Sequence, residues 1–319
     1  MMDEKRNQLR NSFYKLLKIR NVKCLEPDEK CTNDVINAHS IQDRRILEQL
    51  AEDNHVIMLK LRVDFETRPT VEFERVGIHR AATFTGLCSY HDAQIFRPID
   101  ANPIDITNKE HLFLLAYRSV LREMTVLIQE AKKTHLRYSQ MRNLGLVSDD
   151  EISHHLLLSA GFMARTYQFF LYKKDFDLAY KHKAFSEINH HMIVIDHVLP
   201  TIAVTSVFTP IELARRQGDS ERVILNIYPQ DDRLFVVFSC LSKDCRYVKP
   251  HYLEIHDAND YHQKYSLSKL VLRNCENFVL SPRYFATFSE RKKEVIKKYY
   301  CATLCSDLVD FEDLNLFLF

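Results

Sequence analysis

The chain has 319 residues, 46% hydrophobic and 27% charged, a globular balance that excludes disordered and collagen-like classes and has room for two or three cores. Lys+Arg (44) and Asp+Glu (43) nearly cancel, so overall charge does not drive non-specific nucleic-acid binding and any such site must be a local patch. The five glycines, Gly77, Gly86, Gly145, Gly161 and Gly218, are dispersed. They cannot compose a G-x-G-x-x-G, Walker A or G-x-S-x-G loop, which demotes dinucleotide oxidoreductases, P-loop ATPases and α/β-hydrolases.

Apolar runs such as 155-HLLLSAGFMA-164 fall well short of the roughly 20 residues that span a bilayer, and the charged start MMDEKRNQLR has no signal-peptide core behind it. The expectation is a cytoplasmic protein with no membrane partner. Its eight cysteines are then expected to be reduced, and metal binding is favoured over disulfides.

In chain order, residues 3–20 place Leu9, Phe13, Leu16 and Leu17 at helical spacing, and 43-DRRILEQLAED-53 repeats the pattern with Ile46, Leu47 and Leu50. The stretches 55-HVIMLKLRV-63 and 70-TVEFERVGI-78 have the β-branched and aromatic content of two strands. A helix from Ser89 to Phe96 closes this part, with Pro98 and Pro103 marking a boundary. Thr107-x-x-Glu110 and Ser148-x-x-Glu151 have capping-box spacing ahead of 111-HLFLLAYRSVLREMTVLIQEA-131 and 152-ISHHLLLSAGFMARTYQFFLY-172, which predicts two long helices packed as a hairpin. From about His191 the texture changes to 192-MIVID-196, 201-TIAVTSVF-208, 222-RVILNIY-228 and 233-RLFVVFSCL-241, a β-rich sheet covered by helices near 262–273 and 289–300. The expected fold is α+β in three parts: a zinc-stapled module over 1–105, a helical hairpin over 106–190 and a β-rich domain over 191–319.

The most informative pattern is 24-CLEPDEKC-31, then 35-VINAHSIQ-42, then 87-LCSYHDAQIF-96. Zinc favours four soft or borderline ligands in a tetrahedron, supplied as one pair from a loop and one from a turn entering a helix. Cys24, Cys31, Cys88 and His91 are the candidate ligands. Cys88-x-x-His91 has knuckle-to-helix spacing, while Cys24 and Cys31 make a looser loop than C-x₂₋₄-C.

These residues resemble a treble-clef nuclease of the HNH (His-Me finger) superfamily, whose pattern is a cysteine pair, a strand ending in histidine, a knuckle and a helix. The resemblance covers roughly a quarter of the chain. It implies that His39 is the general base, that Thr83 stands where the family has a bracing asparagine, and that Asp92 stands where the family has a catalytic-metal histidine. Ala38 stands where a further metal ligand often lies. The implied cofactors are structural Zn²⁺ and catalytic Mg²⁺ or Mn²⁺, and the implied partner is DNA. The AHSIQ and LCSYHD segments also resemble a group of bacterial proteins of unassigned function associated with mobile elements and phage defence, where a protein partner is a further expectation. Two functions follow: a metal-dependent endonuclease acting on DNA, or a non-catalytic zinc-organised protein whose β-rich half binds a protein or small ligand.

Elsewhere, one member of His154-His155 and of His190-His191 is expected to face solvent while the other packs, without a metal role. Cys240, Cys245, Cys301 and Cys305 read as buried thiols, since no complementary ligand pair has a clear spacing. The polar group Arg273, Asn274, Glu276 and Asn277 reads as a loop that satisfies its own backbone. Arg291, Lys292, Lys293, Lys297 and Lys298 read as a solvated helix face, with a phosphate-facing patch as the alternative.

Overall fold

The computed structural model describes residues 2–147, 153–196, 198–209, 222–305 and 314–317. Its backbone is a seven-stranded sheet in the order β3-β2-β9-β6-β7-β8-β5. The strands are β2 (His55–Arg62), β3 (Thr70–Gly77), β5 (Ile188–Asp196), β6 (Ile202–Phe208), β7 (Val223–Gln230), β8 (Arg233–Leu241) and β9 (Phe278–Leu280), and every pairing is antiparallel. Two tight reversals set the register. Asp231 and Asp232 take φ of 52° and 56° between β7 and β8, and Asp53 and Asn54 take 49° and 59° ahead of β2. Two successive left-handed residues give the turn whose twist matches a hairpin, and Asp and Asn tolerate that region best among residues with a side chain.

β9 joins the ends of the chain. Leu280 pairs with Ile57 of β2 on one side and Ile202 of β6 on the other, so the hairpin expected in the first module shares a sheet with the β-rich half. The polar group read as a self-satisfied loop therefore leads directly into a central strand. Asn277, just before it, donates to Ser40 Oγ and to the Thr205 carbonyl, both at 3.1 Å.

Both faces of the sheet are covered, which explains why β6, β7 and β8 are near-continuous apolar runs without polar alternation. One face, carrying Met58, Ala203, Ile224, Phe235 and Val237, packs against the cysteine-bearing loop, α2 (Ser89–Ala101), α3 (Lys109–Asn143) and α4 (His154–Lys181). The other, carrying Leu59, Val204, Leu225, Val236 and Phe238, packs under α5 (Cys245–His256), α6 (Asp260–Asn274), the short α7 (Pro282–Phe285) and α8 (Glu290–Cys305). At the amino end, α1 (Met2–Leu16) lies against α3. α5 has no counterpart among the sequence expectations. α2 runs through Pro98 to Ala101, so only Pro103 marks a boundary.

The two long helices form the expected hairpin, with different caps. Thr107 directs both its N–H and its hydroxyl to Asp105 Oδ1, at 2.8 and 2.7 Å, so the N-cap of α3 passes to Asn108, whose Oδ1 accepts from Glu110 N at 2.9 Å. The Ser148-x-x-Glu151 pattern lies outside the described residues, and Ser153 caps α4. Inside the hairpin, Lys173 Nζ meets both Asp177 carboxylate oxygens at 2.8 and 2.7 Å, and Tyr117 donates to the same carboxylate at 2.6 Å. All three residues are buried. Removing one partner leaves an uncompensated charge in the core, so Lys173→Met should cost about 3–5 kcal/mol in urea unfolding, while the Lys173→Met/Asp177→Leu pair should recover most of that loss.

Candidate metal centre and adjoining cleft

The loop from Cys24 to Cys31 is built around Glu26. Its buried carboxylate accepts the backbone N–H groups of Asp28 (2.6 Å), Lys30 (2.5 Å) and Cys31 (3.1 Å). Burial pushes that carboxyl up, but the three donors outweigh it and hold it below the ordinary range. Glu29 takes the left-handed conformation, φ 57°. The six residues between the cysteines are thus wound around an internal anchor, and a wide spacing still brings Cys31 back towards Cys24.

The second pair arrives on a short ribbon. β1 (Ala38–His39) pairs with β4 (Thr83–Phe84) in the register Ala38↔Phe84 and His39↔Thr83. Leu25 N donates to Gly86 O at 2.8 Å and Ile36 N to Leu87 O at 2.9 Å. Gly86 is required here, because a Cβ would stand 2.5 Å from the Phe84 ring and 3.0 Å from Thr125 Oγ1. Cys88 is the N-cap of α2, its own N–H donates to Cys24 Sγ at 3.3 Å, and His91 follows within the first turn.

Cys24, Cys31, Cys88 and His91 are positioned to hold a metal ion, with their ligand atoms all within 4.8 Å of one another. Cys31 Sγ lies 3.8 Å from Cys88 Sγ, and His91 Nδ1 lies 3.5 Å from Cys24 Sγ and 3.4 Å from Cys88 Sγ. A tetrahedral ion with metal–sulfur bonds of about 2.3 Å and metal–nitrogen bonds of about 2.0 Å has edges of roughly 3.8 Å between sulfurs and 3.5 Å between sulfur and nitrogen. The side chains match those edges. Burial pushes the Cys24 thiol up to about 12. For Cys88, burial also pushes upward, but the His91 N–H and the Cys31, Cys24 and Asn33 side chains outweigh it and the thiol lies below its ordinary value. A cation among them reverses the burial penalty, since only thiolates ligate.

His39 Nε2 lies 2.9 Å from the Ile78 carbonyl oxygen. A carbonyl only accepts, so this nitrogen carries the proton and Nδ1 is the basic atom of the neutral ring. Asp92 is half-buried on the first turn of α2. Burial pushes its carboxyl up, Arg118 pulls it down, Asp100 raises it and His39 lowers it, so His39 and Asp92 share one electrostatic neighbourhood. Arg118 shares it too: its guanidinium, with only 5% of the side chain exposed, donates to Asp100 at 2.7 Å and lies 4.1 Å above the Phe96 ring. Thr83 Oγ1 donates to the Arg80 carbonyl at 3.3 Å. Among the described residues, groups of three or more metal-ligating side chains form in two places, and neither includes His39 or Asp92.

Thr83 also lines a polar cleft of about 390 Å³ between the ribbon, β2, α3 and α8, a volume within the range of small-ligand sites. Lys60, Arg80, Arg122, Lys133 and Glu276 share the lining. Burial lowers the Lys60 amine, Glu74 opposes that, and Arg62 and Arg80 lower it further. Arg122 and Lys133 pair with Glu123 and Glu130. Lys60 and Arg80 form no ion pair among the described residues, although Glu74 acts on Lys60 and Glu276 shares the lining. Burial raises the Glu276 carboxyl against the pull of Arg122. Nothing in the sequence reading singled out Lys60 or Arg80. Period-two alternation, which sets Lys60 beside Met58 on one face of β2, was the available signal.

The remaining expectations divide. Lys293 pairs with Glu290, Lys297 with Glu72 and Glu294, and Lys292 lies over the Phe288 ring at 3.7 Å, so these lysines of the basic helix are engaged locally. His190 and His191 are both half-buried, on opposite faces of β5, and His191 meets Cys240 and Cys245. Comparison with known proteins returned no matching family model, no matching curated protein and no matching solved structure.

Cys88→Ser should remove one equivalent of bound metal by elemental analysis, and Glu26→Ala should weaken metal retention under chelator challenge without removing any ligand. Full retention in Cys88→Ser would falsify the four-ligand assignment.

Proposed function

We propose that the four ligands hold structural zinc in a treble-clef-like module of the HNH type, and that the chain is a metal-dependent endonuclease acting on DNA beside that module. Two thiolates from a loop and a thiolate–imidazole pair entering a helix are the donor set that zinc prefers, with no need for a redox-active ion. The observation that carries the catalytic reading is the His39–Ile78 hydrogen bond. It sets the tautomer in which Nδ1 is the basic nitrogen, the atom that would take a proton from an attacking water. Cross-strand partners project to the same face, so His39 and Thr83 share the outer face of the ribbon while Ala38 and Phe84 pack inward. Thr83 then links His39 to the cleft, where Lys60 and Arg80 hold the phosphates that flank the scissile bond. Mg²⁺ or Mn²⁺ held by Asp92 would supply charge neutralisation at the phosphate when bound.

One observation favours a second reading. Arg118, buried between Asp100 and Asp92, supplies a resident cation at the place where a divalent ion would sit. In that reading the module is a zinc-organised scaffold that binds a phosphate-bearing ligand in the cleft and cuts nothing.

The test is incubation of supercoiled plasmid, linear duplex, single-stranded DNA and RNA with metal-replete protein and each divalent ion. The nuclease reading expects cleavage of DNA that His39→Ala abolishes with metal content and folding intact. Cleavage that survives in His39→Ala rejects this mechanism. Absence of any cleavage, together with DNA binding lost in Lys60→Ala/Arg80→Ala, selects the scaffold.

A further inference from the structure

We propose a second metal site, formed by His191, Cys240 and Cys245, that holds a thiophilic divalent ion of the zinc class through three protein ligands and leaves the fourth position to solvent. The ligand atoms of these three side chains lie within 4.8 Å of one another.

Strand register brings them together. β5 and β8 pair His191 with Phe238. Cross-strand partners share a face and the side-chain period is two, so Cys240 lies on the same face diagonally from His191. That face is the one covered by α5, α6 and α8, since Phe238 and Cys240 both belong to its core. A single turn, Ser242–Asp244, then reverses the chain, and Cys245 opens α5 above the strands. Ligands thus come from the edge strand β5, from β8 and from the helix that covers them. His190, one residue earlier, points to the opposite face and meets Ser239 Oγ at 2.8 Å, so it takes no part.

The His191 ring is held in place but chemically unsatisfied. It lies 5.3 Å from the Tyr252 ring of α5, and its Nε2 is enclosed without a hydrogen-bond partner. A buried imidazole nitrogen without a partner is destabilising, and coordination removes that cost. Two thiolates and an imidazole form a soft donor set that selects zinc-like ions over Mg²⁺ or Ca²⁺. Cys240 is buried, whereas Cys245 is half-buried, so the fourth position faces the side from which solvent reaches Cys245. The two sulfurs stand 2.9 Å apart. Thiolates sharing one tetrahedral ion stand roughly 3.8 Å apart, so coordination requires the two sulfurs to part by about 1 Å. Bound metal would pin α5 across the β5–β8 edge, and the open position is the kind that accepts water or an exogenous thiolate.

Metal stoichiometry of the full chain, purified under reducing conditions and titrated with zinc, decides the matter. Wild type should bind two equivalents. Cys245→Ala and His191→Phe should each bind one, and Cys88→Ser should lose the other. Cobalt substitution of the wild type gives a readout free of variant misfolding: thiolate-to-cobalt absorption should keep rising through the second equivalent. Saturation at one equivalent in the wild type overturns the proposal. So does retention of two equivalents in Cys245→Ala, or recovery of Cys240 and Cys245 as a disulfide that reduction does not convert into a zinc-binding form.

Discussion

The carboxylate of Glu26 and the four ligand atoms behind it form the constraint on which the first third of the chain depends. Three backbone N–H groups converge on Glu26, and a metal held by the four side chains would tie Cys31 to Cys88 across 57 residues of sequence. Everything between those cysteines is a closed loop: the ribbon strand β1, the wide helical turn near Ile46 and the whole β2–β3 hairpin. Closing such a loop removes chain entropy that must otherwise be overcome on folding. It also fixes the base from which the hairpin extends to meet β9. The module is therefore coupled to the main sheet, and Asn277, reaching from the β9 approach to Ser40, shows the coupling from the other side.

The same geometry poses a choice of cation. Around Asp92, one position is served by Arg118 from α3, a buried guanidinium that donates to the half-buried Asp100 and whose flat face lies on Phe96. A divalent ion at Asp92 would have to coexist with that guanidinium or displace it. In the neighbouring cleft Lys60 and Arg80 form no ion pair among the described residues, while Glu74 acts on Lys60 and Glu276 shares the lining.

Much of this was legible in the residues. Long apolar-periodic stretches became α3 and α4, and β-branched runs became β6, β7 and β8, because local periodicity and burial agree there. The four metal ligands were legible because their chemistry is rare and their order conspicuous. What escaped depends on long-range register or on a single side chain. β9 is three residues long and acquires meaning only between β2 and β6. His191 meets Cys240 only through the β5–β8 register, which no spacing reveals. Thr107 lost the N-cap to Asn108 because Asp105 engages it first. The wide spacing of Cys24 and Cys31 is spanned by a loop wound on Glu26, one acidic residue among many, which no local pattern singles out.

The central claim is that metal at the first site organises the knuckle, the ribbon and the start of α2 while the α3–α4 hairpin stands on its own packing. Hydrogen exchange read by mass spectrometry, comparing metal-loaded protein with chelator-stripped protein, tests this most directly. The account predicts that peptides covering 21–42 and 82–95 lose protection on stripping while those of the buried half of α3, 112–127, keep theirs. Unchanged protection across 21–42 and 82–95 in verified metal-free protein would contradict it.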